Sequence, residues 1–220
     1  MIKGDFKVTT LLLVRHGESE ANRNEIFAGH FDADLEDRGL KQAQKTAEYI
    51  KENYKVDKVY ASDLKRAFKT GKCIADLIGV EILPTDKLRE IGAGKWDGMK
   101  FSDLQKYYKK EYDVWMQDIG NAYCPDGETV KELGERIMSE LTRIAEENDG
   151  KTVVIATHAT PIRVAQTLIQ YGTLEEMKNV KWVSNASVTV LEYENHKWSC
   201  PKVSIDKHLA DLKTALPTNV

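Results

Sequence analysis

The chain has 220 residues, 41% of them hydrophobic and 30% charged, which is enough to bury a core without a disulfide or metal staple and unlike a disordered chain. Its 32 basic and 35 acidic residues leave a net charge of −3, which argues against a general nucleic-acid or polyanion binder. No apolar run approaches the ~18 residues of a membrane span, so neither nucleic acid nor membrane is an expected partner.

Taken in chain order, Thr10–Val14 is apolar on both faces and reads as a buried strand. Arg15 and His16 break it at once, too soon for the apolar region of a signal peptide. Leu40, Ala43, Ala47 and Ile50 recur at helical spacing and place a helix over 37–53. Lys58–Ala61 is a second strand. Ala67, Ile74, Ala75 and Ile78 mark a second helix, ended by Gly79. Val80–Leu83 is a third strand, closed by Pro84. The segment 97–125 is more polar and aromatic and reads as a cap-like helical insertion over the sheet edge. Val130, Leu133, Ile137, Leu141 and Ile144 form one face of a long helix. Thr152–Ala156 is a buried strand, and a helix follows with Pro161 in its first turn. Ser187–Leu191 is a last strand, and the final dozen residues, with Pro217, read as a loose tail. Cys73, Cys124 and Cys200 are odd in number with no CxxC pair, so they read as free thiols and the cytoplasm as the expected compartment. The alternation predicts one α/β domain over 1–220, a mostly parallel central sheet with helices on both faces.

Two motifs invite other chemistries. Gly92-Ala93-Gly94-Lys95-Trp96-Asp97-Gly98 is glycine-rich, but its third glycine falls one place late for a dinucleotide loop. Lys95 is followed by Trp rather than Ser or Thr, so a Walker loop fails too. His30, Asp32 and Asp34 form a candidate metal group, but no second His/Cys cluster accompanies them, so no metal is expected.

The chemistry gathers at strand ends. Arg15 and His16, with Gly17 and Asn22 after them, follow the first strand, and ligands in open α/β sheets bind just past the carboxyl ends of strands. Thr157 and His158 follow the strand over 152–156, with Ala159 next. Ser62 and Asp63 end the second strand, and Arg66 falls in the first turn of the next helix. If these strands are neighbours, two arginines and two histidines meet at one edge, a concentration of donors and charge suited to phosphate. Glu90 adds a carboxyl group; an ion pair with Arg89 or another arginine is the alternative reading for it.

These pieces, in this order, resemble the histidine phosphatase superfamily, also called phosphoglycerate mutase-like. Arg15-His16-Gly17-Glu18-Ser19 with Asn22 resembles its opening motif, and Gly29, Asp32, Leu35 and Gly39 the stretch that follows. Ser62-Asp63-Leu64 with Arg66, Ala67 and Thr70 resembles its second-arginine motif. Arg89-Glu90-Ile91 with Gly94, Trp96 and Gly98 resembles its acid segment, and Pro125 to Thr129 its Pro-x-Gly-Glu-Ser stretch. His158 with Ile162 and Arg163, then Asn185, Asp206, His208 and Leu209, complete the likeness over about 11–209. The resemblance implies that His16 is the nucleophile and takes the phosphoryl group as phosphohistidine. It implies that Arg15, Arg66 and His158, helped by Asn22, hold the phosphate oxygens, and that Glu90 gives a proton to the leaving oxygen. Where relatives have His-Gly-Gly, this chain has His158-Ala159-Thr160-Pro161; Ala159 keeps an N–H for phosphate, whereas Pro161 has none.

The resemblance also implies that the mutases carry a longer insertion before the Pro-x-Gly-Glu stretch than this chain has between Asp97 and Asp126. That favours a compact phosphatase, similar to the broad-specificity bacterial and α-ribazole phosphatases, with no cofactor and a small phosphomonoester as substrate. Lys106, Lys109 and Lys110 in the cap keep a cofactor-dependent mutase open, and a non-catalytic binding protein of the same fold is the third reading. Tyr107, Tyr108, Tyr112 and Trp115 form either a packed helix face or an apolar leaving-group site. The oligomeric state is not set by the sequence; a homodimer stays open.

Overall fold

The computed structural model describes residues 7–215. Among these, eight strands form: β1 (Thr9–Arg15), β2 (Ile26–Phe27), β3 (Lys58–Ser62), β4 (Ile82–Thr85), β5 (Met99–Lys100), β6 (Thr152–Thr157), β7 (Val188–Glu194) and β8 (Lys197–Ile205). The helices are α1 (Glu20–Arg23), α2 (Asp37–Asn53), α3 (Lys65–Ile78), α4 (Phe101–Tyr107), α5 (Lys109–Gln117), α6 (Val130–Glu147) and α7 (Ala159–Tyr171). Six strands make the central sheet in the order β4-β3-β6-β1-β7-β8, and β2 pairs with β5 in a separate antiparallel ribbon. The first four strands of that order run parallel, and β7 runs antiparallel to both its neighbours, β1 and β8. This is the mainly parallel α/β sheet that the alternation predicts.

Continuous apolar strands work here because both faces are covered. Leu11, Leu13, Val153 and Ile155 enter one core, with Leu133, Ile137, Leu141 and Ile144 of α6 and Ile162 of α7. Leu12, Val14 and Val154 enter the other, with Ala47 and Ile50 of α2 and Ile74 and Ala75 of α3. The period-2 pleat thus divides each strand between two helical layers.

Several sequence expectations need correction. Leu40 is exposed, and the inner face of α2 instead carries Gln42 and Thr46. Both are bonded: Gln42 Oε1 accepts the Glu18 N–H at 2.7 Å, and the Thr46 hydroxyl lies 2.7 Å from the Ala186 carbonyl. Pro84 does not close the third strand but lies within β4, paired opposite Ala61. An edge strand bonded only to β3 tolerates a residue without an N–H. β8 was not anticipated, because its burial alternates weakly and Pro201 interrupts it; it too is an edge strand.

The expected loose tail is in part ordered. A 3₁₀ segment over Lys207–Leu212 buries Leu209, and Gln42 and Arg38 donate to the Leu212 carbonyl. Pro217 lies outside the described residues. The segment after 97 forms α4 and α5, which join the first core through Leu104, Tyr112 and Trp115. Cys73, Cys124 and Cys200 are free thiols. Among the described residues no helix is long and apolar enough to cross a membrane.

Candidate active site

β1 and β6 are parallel neighbours in a register that sets Arg15 opposite Thr157. The His16 N–H donates to the Thr157 carbonyl at 3.0 Å, so His16 and His158 leave adjacent strand ends together. Their rings meet edge to face, with centroids 5.2 Å apart. Ser62, at the end of β3, stands 2.9 Å from His158 Nε2. Arg66, in the first turn of α3, is fully buried beside them. The residue after His16 must be small: a Cβ on Gly17 would fall within the Gly39 carbonyl, so this loop packs backbone to backbone against the start of α2.

One pocket is lined by Arg15, His16, Asn22, Arg66, Glu90, Ala159 and Thr160 on its polar side. Ile26, Phe27, Phe101, Trp115 and Trp182 form its apolar wall. The structure therefore brings six of the sequence-selected residues to one surface, with His158 buried behind His16. Ser19 caps α1 in a reciprocal box with Asn22. Asn22 Oδ1 accepts from the Ser19 N–H and from Asn185 Nδ2, each at 3.1 Å. This leaves the Asn22 amide nitrogen as its free end. The Ala159 N–H, at the first position of α7, has no protein acceptor, as expected of the first turn of a helix.

The electrostatics follow from burial. His16 Nδ1 lies 2.7 Å from the Gly17 carbonyl, which can only accept. The ring proton therefore sits on Nδ1 and the Nε2 lone pair is free. Burial, then the charges of Arg66 and Arg15, hold His16 well below the ordinary imidazole range. Burial, then Arg66, does the same for His158. Burial lowers Arg15 to about 10 against the opposing effect of Glu90, so it stays charged at neutral pH. Arg15 donates to the Val183 carbonyl, and Arg66 to the Gly29 and Phe31 carbonyls. Arg15 Nε, Arg66 Nε and His158 Nδ1 are buried without any protein partner.

The alternatives left open by the sequence resolve differently. Arg89 makes a two-pronged ion pair with Asp63 at 2.6 and 2.5 Å, not with Glu90. Glu90 accepts instead from the N–H groups of Ile91 (2.8 Å) and Thr160 (3.3 Å). Asp32 accepts the Lys65 N–H at the start of α3, and Asp34 pairs with Lys69. His30 Nε2 bonds the Glu90 carbonyl at 2.9 Å. Among the described residues no group of three or more His, Cys, Asp or Glu side chains is arranged to hold a metal.

Of the four cap aromatics only Trp115 reaches the pocket; Tyr112 is core and Tyr107 is exposed. Sequence reading missed Trp182, which stacks on Trp115 and lies under the Arg163 guanidinium at 4.2 Å. Arg163 itself is buried outside the pocket, holding the Met177 and Val180 carbonyls. No local pattern marks a lone Trp after a polar 3₁₀ stretch, so nothing in the sequence could have found Trp182.

Two buried guanidinium groups and two buried imidazoles thus meet at the carboxyl edge of a mainly parallel α/β sheet. Residues 11–206 match the histidine phosphatase superfamily (branch 1), and the chain belongs to that superfamily. It is 31% identical over 198 residues to the phosphoglycerate mutase-like protein 4 of Arabidopsis thaliana, covering 89% of this chain and 84% of that one. It is 29% identical over 213 residues to a metal-independent phosphoserine phosphatase of the same plant, covering 96% and 87%. The solved structure of Bacillus stearothermophilus YhfR shares the fold, with a TM-score of 0.87 at 23% identity over 91% of this chain and 99% of that one.

Proposed function

We propose that this protein hydrolyses small phosphomonoesters through a phosphohistidine on His16, without a metal. The observation that carries the reading is the set of three buried nitrogens without a protein acceptor, on Arg15 and Arg66 of the pocket lining and on His158 behind His16. A buried donor left unmade costs about 1–3 kcal/mol, and a phosphoryl group supplies oxygens for all of them. Phosphoryl transfer asks chiefly for positioning and charge neutralisation. Two guanidinium groups supply that charge here.

His16 Nε2 attacks phosphorus as the ester P–O bond breaks, and Glu90 gives the leaving oxygen its proton. Water then attacks the phosphohistidine while the Glu90 carboxylate takes a water proton. The P–N bond breaks, inorganic phosphate leaves and His16 is neutral again. Ser62 Oγ accepts the Leu64 N–H at 3.3 Å, so its own proton is available to His158 Nε2. That keeps the His158 proton on Nδ1, the nitrogen without a partner. The aromatic wall of Phe27, Phe101, Trp115 and Trp182 takes the leaving group.

A phosphatase is preferred to a mutase because Lys106, Lys109 and Lys110 do not line the pocket. Lys109 is tied to Asp113, and Lys106 lies over Tyr107. The likeness to a metal-independent phosphoserine phosphatase supports the same preference and makes phosphoserine a first substrate to try. The test is turnover of a phosphomonoester panel with ³²P-labelled substrate quenched in base. An acid-labile, base-stable phosphoprotein that is absent from His16→Ala is expected; turnover with no such species overturns the covalent route.

A further inference from the structure

Glu90 lies on a stretch, 87–92, that follows the end of β4 and belongs to no strand, so no sheet ladder fixes it. The Thr157 hydroxyl donates to the Leu88 carbonyl at 2.7 Å and the Thr160 N–H to the Glu90 carboxylate at 3.3 Å, and the largest set of bonds to its backbone comes from α6. Arg136 Nη1 donates to the carbonyls of Lys87 (2.9 Å) and Arg89 (3.1 Å), and Nη2 donates to that of Glu90 (3.1 Å). Nε and Nη2 grip the two Glu128 carboxylate oxygens at 2.8 Å each. These bonds match the five N–H donors of a guanidinium. Glu128 Oε2 in turn accepts the Gly92 N–H at 2.7 Å, and the Glu128 N–H donates to the Gly92 carbonyl at 2.7 Å. Burial alone would raise the Glu128 carboxyl, but Arg136 and the Gly92 N–H hold it below the usual carboxylate range. Neither Arg136 nor Glu128 lines the pocket.

The frame extends further. The Glu90 carbonyl also meets His30 Nε2, and the His30 N–H bonds Asp97 Oδ1 at 2.9 Å. His30 lies between Gly29 and Phe31, whose carbonyls hold Arg66. One hydrogen-bonded frame therefore spans the proton donor and a phosphate-binding arginine.

We infer that the Arg136–Glu128 pair is the positioning device for Glu90: it fixes where the proton donor stands without touching substrate. The inference rests on the reading of Glu90 as proton donor. Lysine cannot replace Arg136, because one ammonium cannot meet a carboxylate and three carbonyls in a plane.

The test compares Arg136→Gln and Arg136→Lys with the wild type and Glu90→Gln, using β-glycerophosphate and p-nitrophenyl phosphate. An alkoxide needs its proton as the P–O bond breaks, whereas p-nitrophenolate leaves with little help. The readout is the ratio of the two kcat/KM values within one preparation, from which any loss of folded protein cancels. A small misplacement of a reacting group costs up to about 10²-fold. Each Arg136 variant is expected to lose about 10- to 100-fold on the alkyl ester and much less on the aryl ester. Adding Arg136→Gln to Glu90→Gln should move the ratio no further. A merely structural Arg136 predicts equal losses on both substrates; an unchanged ratio beside a shifted Glu90→Gln ratio overturns the inference. If Glu90→Gln itself leaves the ratio unchanged, the proton-donor reading falls first, and the role of Arg136 falls with it.

Discussion

Arg15, His16, Arg66 and His158 stand at the ends of β1, β3 and β6 or one turn beyond, where parallel registers fix them. Glu90 stands on a stretch with no ladder, held by a guanidinium from α6 and an imidazole from the 29–31 loop. One side of the pocket is positioned by the sheet, the other by side chains reaching across loops. The first arrangement is rigid because each strand is bonded on both sides within a two-layered core. The second rests on side-chain bonds from separate elements, which substitutions can remove one at a time. The phosphate-holding role proposed for the arginines suits the former, and the two-step proton transfer proposed for Glu90 can use the latter.

The comparison can be broken most directly on the sheet-held side. His16→Ala removes the proposed nucleophile and should lower kcat by on the order of 10⁴ or more, as losses of nucleophiles do elsewhere. Steady-state phosphate release measures it, and turnover near that of the wild type would remove His16 from the role.

On the loop-held side the expected effect is smaller and depends on substrate. A positioned acid is worth roughly 10²–10⁴ in rate. Glu90→Gln should lose about that on an alkyl phosphate and clearly less on p-nitrophenyl phosphate. Equal losses with a lowered unfolding midpoint would make Glu90 structural.

The sheet-held histidines also leave a mark on stability. Burial, chiefly, holds both below the ordinary value of 6.5 when folded. Below that value the unfolded chain binds protons that the folded chain does not, so stability falls as pH drops. The contribution is fully present above the unfolded value and is lost on the acid side. Each histidine adds at most about 1.4 kcal/mol per pH unit to the slope. Denaturant midpoints between pH 7.5 and 5 should show a shallower decline in His158→Asn. A slope unchanged by that substitution would mean that His158 is charged in the fold.

The smallest expected effect is none. On the proposal that Arg15 and Arg66 supply the positive charge, EDTA should leave turnover unaltered. Loss of most activity, restored by Mg²⁺ or Zn²⁺, would sharpen the comparison the other way and return His30 and Asp32 to consideration as ligands.

Sequence alone determined the two-faced strands, because buried parallel strands carry near-continuous apolar runs, and with them which residues lie at strand ends. It therefore determined the candidates Arg15, His16, Arg66 and His158, whose positions follow from strand ends and a single helical turn. The box of Ser19 and Asn22 is made by four consecutive residues, but only the structure revealed it. Only the tertiary structure decided what depends on contacts distant in sequence. Trp182 enters the pocket because Arg163 and Trp115 hold it there, and no neighbour in sequence says so. Gln42 and Thr46 are buried because a loop before α2 and the segments around Ala186 and Leu212 offer them partners, which reverses what polarity alone implies for a helix face. Arg136 looks like one charge among many on an amphipathic helix; its five donors acquire meaning only when folding brings three loop carbonyls and Glu128 to its plane. Periodicity records what a residue does along its own element, whereas a hydrogen bond between elements leaves no trace in the spacing of either.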